Sequence, residues 1–592
     1  NPVGTIDFIG ANGGGNRFYK TDKNNFAPIV SFAWSPHFKN SVLGPLFGDE
    51  GRTVIRGGYR RSFVNDEFVR GPDNAQGGNS GLSTARAFLV GPAAGNLLGA
   101  PLFSVPAPTF NVPRTFAAGD TLSGQNFGTI FAIDPNLQVP MTQEWNIGIQ
   151  REVGFQTAFE IRYVGGKSDN LVRGIDLNEA RIHANGFVAD FIRARENCRA
   201  QGATLPGTGD PLNRCTSAAF NPAIPGSVPL TVFPGLPGGG LLTNGTVLSN
   251  LRAGIPADLV TNYITALASA TAVGTNGLTF DQFFLPNFNA GAVDLLQNSG
   301  RYRYHSLQAE VRRRFSQGFH LQANYTFQKT LTDASGVGQT RFEPNLTNLF
   351  PELEYSRADY DATHVFNLNS IYELPFGRGK RFFSDGSSFV DRLVGGWQVS
   401  SIVQIATGAP ISIVDPRSTF TRRNGRQTAL TSLTKEQLRD LVGIFRTPCG
   451  VFYINPTAID LNQTALANGQ CSQLLTGGAT GRGARGFGEA AFPGQVFFNN
   501  GPGQTSGLER AFLNGPLYVN WDASIIKNIR LTETSRLQIR AEAFNVLNRP
   551  NFFFTQFGTN ASINSTNFGR ITSTFTSTGA QRVLQFAARI EF

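Results

Sequence analysis

Between Phe319 and Gln328 apolar and polar residues alternate without a break: Phe319, Leu321, Ala323, Tyr325 and Phe327 are interleaved with His320, Gln322, Asn324, Thr326 and Gln328. A period of two is the mark of a β-strand with two unlike faces, because successive side chains point to opposite sides of a sheet. The pattern recurs. Ser306, Gln308, Glu310 and Arg312 are separated by Leu307, Ala309 and Val311. Arg536, Gln538, Arg540 and Glu542 are separated by Leu537, Ile539, Ala541 and Ala543, and Thr142–Gln150 and Phe159–Tyr163 behave likewise.

Eleven strands are read in this way, at about 26–35, 52–63, 141–151, 156–165, 303–314, 319–330, 361–374, 396–408, 518–527, 535–546 and 581–592. Their connections alternate in length. Short or moderate ones follow the odd-numbered strands. Long ones, at about 64–140, 166–302, 331–360, 409–517 and 547–580, follow the even-numbered strands, and residues 1–25 read as the remnant of another long loop. A soluble sandwich has no reason to segregate loop length by end. A transmembrane barrel does, with short turns on the periplasmic side and long loops outside. The fold class expected is therefore all-β, a transmembrane antiparallel β-barrel segment of about eleven strands with long, partly helical extracellular loops.

Composition agrees. Only 16% of residues are charged, whereas Gly contributes 67 residues and Phe 51. No run approaches 18 consecutive apolar residues, so no transmembrane helix is available. A closed barrel is the other structure that satisfies its own backbone in lipid. The net charge of +10 is scattered, with short clusters at Arg312–Arg314 and Arg378–Arg381, so nucleic-acid binding is not expected.

The four cysteines fall as Cys198 with Cys215 and Cys449 with Cys471, each pair inside a long polar stretch. Their spacing and the lack of nearby histidine argue against a metal site. Two local disulfides in an oxidising compartment are the preferred reading, with four free thiols the alternative. Helical spacing marks Val188–Cys198 and Asp258–Ala270. Thr434–Gln437 has the capping-box pattern, ahead of a helix continuing through Leu438, Leu441, Val442 and Ile444.

Enzymatic motifs are poor, and no catalytic, cofactor-binding or metal-binding residues are assigned. Ser168-Asp169-Asn170 lacks a matching Ser-x-x-Lys element, and Gly377-Arg378-Gly379-Lys380 lacks the spacing of a phosphate loop. His305 and His320 could approach across a hairpin, where a lumen-facing hydrogen bond is the expectation. Asp359-Tyr360-Asp361 lacks the rest of a calcium loop. Trp34, Trp145, Trp397, Trp521, Tyr163, Tyr325 and Tyr518 are candidates for the aromatic girdles at the two interfaces, with core packing the alternative.

Counting parity backwards from Phe592 places the start of the first strand on the long-loop side. With no leader-like segment before it, this reads as a chain preceded by further strands. Eleven strands would then be the carboxyl-terminal half of a 22-strand barrel.

The strands themselves carry a family resemblance. "RLQIRAEAFNVLNRPNF" (Arg536–Phe552) and "VLQFAARIEF" (Val583–Phe592) resemble the last two strands of TonB-dependent outer-membrane receptors. "NNFAPIVSFAWSP" (Asn24–Pro36), "GRTVIRGGYRRSF" (Gly51–Phe63) and "QVPMTQEWNIGIQREV" (Gln138–Val153) resemble the Oar-like subfamily, as do "DATHVFNLNSIYELPFGRGKRF" (Asp361–Phe382) and "GGWQVSSIVQIATGAPISI" (Gly395–Ile413). The resemblance implies energised transport of a bulky ligand across the bacterial outer membrane. An upstream regulatory domain, a plug and further strands would complete the barrel, and the TonB complex would act through that upstream part. Gln308, Glu310, Arg312, Arg536, Gln538, Arg540 and Glu542 would face the lumen. Phe586, Ile590 and Phe592 would form the carboxyl-terminal signal read by the insertion machinery. Membrane lipid and lipopolysaccharide are the remaining expected partners, and the C-terminus would be periplasmic. A surface receptor or adhesion scaffold without transport is the alternative function.

Overall fold

The computed structural model describes residues 17–36, 47, 51–63, 129–238, 240–260, 273–287, 292–334, 345–422, 427–555, 558–575 and 581–592. Its framework is an antiparallel sheet in which eleven strands pair in sequence order: β1 (Ile29–Trp34), β2 (Thr53–Phe63), β3 (Met141–Gly154), β4 (Thr157–Asp176), β5 (Ala292–Ser316), β6 (Phe319–Thr332), β7 (His364–Glu373), β8 (Trp397–Ala406), β9 (Tyr518–Arg530), β10 (Arg536–Phe544) and β11 (Val583–Glu591). Two short segments join off this path. Thr129–Ile133 runs parallel to the start of β5, and Ser356–Arg357 pairs with the end of β6. Among the described residues β1 and β11 do not pair with each other.

Two of the hairpins close in two residues. Phe155 and Gln156 both take positive φ (50° and 56°), as do Gln317 and Gly318 (52° and 78°). That backbone twist matches the twist of the flanking strands, which fixes register tightly. Each turn therefore commits every side chain of its hairpin to one face.

The main departure from the sequence reading lies in β4 and β5. Both run about ten residues further than the alternation indicated, to Asp176 and back to Ala292. Register shifts between Ser168 and Val172 break the period in that extension, so its side chains do not alternate cleanly. The connection expected at 166–302 accordingly begins at 177 and ends at 291. Much of the stretch at 64–140 and residues 261–270 of the second expected helix lie outside the described residues.

The long connections build cores of their own. The first surrounds the helix α1 (Phe187–Ala203), with Phe187, Phe191, Phe233 and Phe284 fully or nearly fully buried. The second combines 411–513 with 554–568, around Phe452, Phe497 and Phe568. The capping box forms as read: Thr434 accepts from the Gln437 N–H and Gln437 reaches back to the Thr434 N–H. The helix it starts ends at Asp440, however, and Val442–Thr447 is a strand paired with Gly450–Ile454. Phe445 packs as a partly buried sheet residue against the second core, so tertiary packing overrides helical spacing there.

Candidate functional site

The sheet presents two continuous, unlike faces. On one, cross-strand neighbours are polar from β2 to β11. Arg60 pairs with Glu144 (2.5 Å), Arg162 donates to Gln308 (2.7 Å), and Gln322 donates to Glu310 (3.1 Å). Asn367 donates to Asn324 (3.2 Å), and the Ser400 and Ser524 hydroxyls meet at 2.5 Å. Gln538 donates to Asn528 (3.0 Å), Arg540 contacts Gln538 and Glu542, and Arg536 pairs with Glu591. All seven residues expected to share a polar row lie on this face, distributed over β5 and β10. Arg312 also lines a cavity of about 340 Å³ at the short-turn end, together with Arg52, Glu152 and Arg314.

The opposite face is apolar. Leu307, Phe327, Ile402, Ile525 and Ile539 are all exposed; all except Ile402 lie on this face, with Ala309, Ala323, Phe366 and Ala541 between them. Ile402 lies opposite Asn369 and Asp522 and interrupts the polar face. Phe586 and Ile590 stand on the apolar face, opposite Ala541 and Leu537, and Phe592 beyond them is 98% exposed. Exposed aliphatic and aromatic groups over so many adjacent strands require an apolar solvent.

The seven girdle candidates occupy distinct settings. The Trp145 indole lies against Gly165, leaving no room there for a Cβ, and meets the His305 ring edge-on at 6.5 Å. The Tyr163 hydroxyl contacts His305 Nδ1 and the Tyr325 hydroxyl contacts His364 Nδ1, each at 2.7 Å. Trp397 stacks under the Lys527 ammonium, Trp521 donates to Ser401 (2.8 Å), and Tyr518 meets Phe575 edge-on. Trp34 is 52% exposed at the end of β1.

His305 therefore corrects the sequence reading. It sits on the apolar face opposite Gly165 and Lys329, while His320 lies opposite Ile371, so the two histidines do not approach each other. Asp361 is taken by Arg357 (3.0 Å) and by the Thr330 N–H (2.9 Å).

Above the sheet, on the long-loop side, the described parts of the connections after β4, β6, β8 and β10 form one cap. Cys198 pairs with Cys215 and Cys449 with Cys471, each with Cα atoms 5.2 Å apart. Asp190 of α1 is fully buried and accepts from the N–H groups of Thr231, Val232 and Phe233 (2.8–2.9 Å). Burial alone would raise its pKa, but these donors and Arg193 outweigh it and hold the carboxylate below its ordinary range. Asp415 plays the same part in the second core, gripped by Arg417 (2.9 Å), the Asn500 N–H (2.7 Å) and Asn564 (3.0 Å).

The two cores are joined directly. Arg195 donates to the Phe487 carbonyl (2.7 Å), Arg417 to the Ala253 carbonyl (3.0 Å), and His183 Nε2 to the Phe420 carbonyl (3.0 Å). Burial lowers the His183 pKa, and the carbonyl it faces makes Nε2 the donor. Glu354 ties the cap to the extended hairpin, because Arg173 of β4 (2.9 Å) and Arg510 both pair with it. Burial would push this carboxyl up, yet the Arg510 and Arg173 charges bring it down to about 2. None of these anchors was legible in the sequence. Apart from Asp190–Arg193 and Asp415–Arg417, each joins residues from 41 to nearly 300 positions apart, and no local spacing announces such a pair.

The chain is similar to several solved outer-membrane structures. With the outer membrane transporter YddB from Escherichia coli it shares 8% identity over 91% of this chain and 38% of that one, at a TM-score of 0.33. The siderophore receptor PiuA from Acinetobacter baumannii gives 7% identity over 92% and 34%, at 0.31. The ferripyoverdine receptor of the outer membrane of Pseudomonas aeruginosa gives 9% over 96% and 33%, also at 0.31. The chain spans a third to two fifths of the length of these structures, and likeness at this level carries no statement about its ligand. No curated protein matches the chain. The family model for the outer membrane beta barrel domain matches residues 1–585. With a two-faced antiparallel sheet whose exposed side is apolar, this chain belongs to the outer membrane beta barrel domain family.

Proposed function

We propose that this chain supplies the wall and the ligand-selecting cap of a TonB-dependent outer-membrane transporter of the Oar-like type, carrying a bulky ligand. The observation that carries the reading is the consolidation of the described parts of the connections after β4, β6, β8 and β10 into a single disulfide-braced cap. Loops that only closed hairpins would not need two cores. In this reading the cap is extracellular, the C-terminus periplasmic, and the polar face lines the lumen. There Gln308, Glu310, Arg312, Arg536, Gln538, Arg540 and Glu542 would wet the pathway or hold a plug. Further strands would pair with the edges of β1 and β11, which have no partner strand among the described residues, since unpaired backbone in lipid costs several kcal/mol per group. Phe586, Ile590 and Phe592 would present the closing strand to the insertion machinery by edge pairing. Lipopolysaccharide would surround the outward half of the wall, and the TonB complex would act through the plug.

The test is ligand depletion by cells carrying the full-length protein, against cells lacking it, over a panel of ferric chelates and oligosaccharides. Transport predicts depletion that stops when the proton-motive force is collapsed. Retention of a ligand at the surface regardless of that force would overturn transport in favour of a receptor or adhesion scaffold.

A further inference from the structure

The apolar face changes character toward the cap. One row of directly opposed residues reads Tyr59, Trp145, Gly165, His305 and Lys329 across β2 to β6. The next row outward reads Arg61, Gln143, Lys167 and Arg303. Three cations thus sit immediately beyond a belt of aromatic rings, with a fourth, Lys329, at the end of the belt itself, where a membrane-facing wall meets the headgroups.

Directly opposed side chains in a sheet stand close enough that like charges destabilise one another, and Lys167 faces Arg303. Little among the described residues offsets this. Arg303 pairs with Asp169, Arg61 stacks on Phe63, and Arg61 Nε is buried without a hydrogen-bond partner. Among the described residues Lys167 and Lys329 have no ion pair. Lys329 and His305 are exposed on the membrane side, which leaves the row open to an anion from there.

Resting on the orientation proposed above, we infer that Arg61, Lys167, Arg303 and Lys329 bind the two phosphoryl groups of a lipid A-type glycolipid, with Trp145 and Tyr59 against its sugar–acyl boundary. Arg61 and Arg303 stand three strand spacings apart, roughly 14 Å. A single phosphodiester headgroup engages one end of such a row. A disaccharide carrying a phosphoryl group at each end bridges both.

The test uses the full-length protein in detergent, titrated with bisphosphorylated lipid A, the same lipid A with its phosphates removed, phosphatidylglycerol and inorganic phosphate. Binding is read by tryptophan emission and by thermal stability. The proposal expects the bisphosphorylated lipid to bind roughly tenfold or more tightly than any other probe. It expects the Lys167→Gln/Lys329→Gln variant to lose that preference at unchanged stability without lipid, and Trp145→Phe to lose most of the emission change while binding persists. Equal binding of the dephosphorylated lipid, of phosphatidylglycerol or of free phosphate overturns it, as does an unaffected double variant. Failure to insert into vesicles, scored separately by resistance to unfolding in cold detergent, would instead sink the membrane-wall reading.

Discussion

Glu354 shows how much one side chain can hold. It is 2% exposed and sits between Arg173 on the extended hairpin and Arg510 in the second loop core. Glu354→Gln would leave two buried guanidinium groups without their shared counter-charge, at a cost of about 3–5 kcal/mol. Thermal unfolding of the cap would register the loss, whereas unfolding of the sheet would change little. The same carboxylate sets a pH window. Its folded pKa lies below its ordinary value of 4.5, at about 2, so its contribution is complete above 4.5 and is lost as pH falls toward 2. Hydrogen exchange of 345–357 and 508–513 should accelerate through that interval. Gly165 gives a second residue-scale test. A Val there would collide with the Trp145 indole and displace it from His305, lowering stability by about 1–3 kcal/mol and shifting tryptophan emission. An unshifted spectrum would contradict the placement of the ring.

Among the elements, strands were legible where one face met apolar solvent and the other polar groups. In β6 and β10 that contrast writes itself into every second residue. It vanishes in the outer halves of β4 and β5, where bulges break the period. It also vanishes at Val442–Thr447, where a helix start and a strand lie within ten residues. Cysteine spacing allowed the two pairings to be written down, but only the fold distinguishes their surroundings. Cys198 and Cys215 are buried in the first core, whereas Cys471 is exposed. A mild reductant should therefore open Cys449–Cys471 first, as timed alkylation and mass mapping would show. Each bridge closes a short loop, with separations of 17 and 22 residues, so removing either by paired Cys→Ser exchange should cost about 3 kcal/mol. The Cys198–Cys215 exchange should cost more, because it also disturbs packing around Phe191 and Leu212.

For the whole molecule, sheet and cap are stabilised by different solvents. The wall depends on apolar surroundings, while the cap carries its own buried phenylalanines and carboxylate anchors. The cap's architecture could not be read from the chain, because its cores are assembled from segments with no shared periodicity and joined across hundreds of positions. Its two cores should also respond together. Arg417→Ala removes the donor to Ala253 and the partner of Asp415, so exchange protection should fall in both 187–260 and 411–513. Loss confined to the second region would show that the cores open independently. The three carbonyl-capping bonds made by Arg195, Arg417 and His183 then have a consequence for the transport reading proposed above. In that reading a mouth welded at three points would have the outline of a keyhole, and what passed would be chosen by its shape. New specificity in such a protein would arise by exchanging whole inserts, with single replacements at the rim doing little.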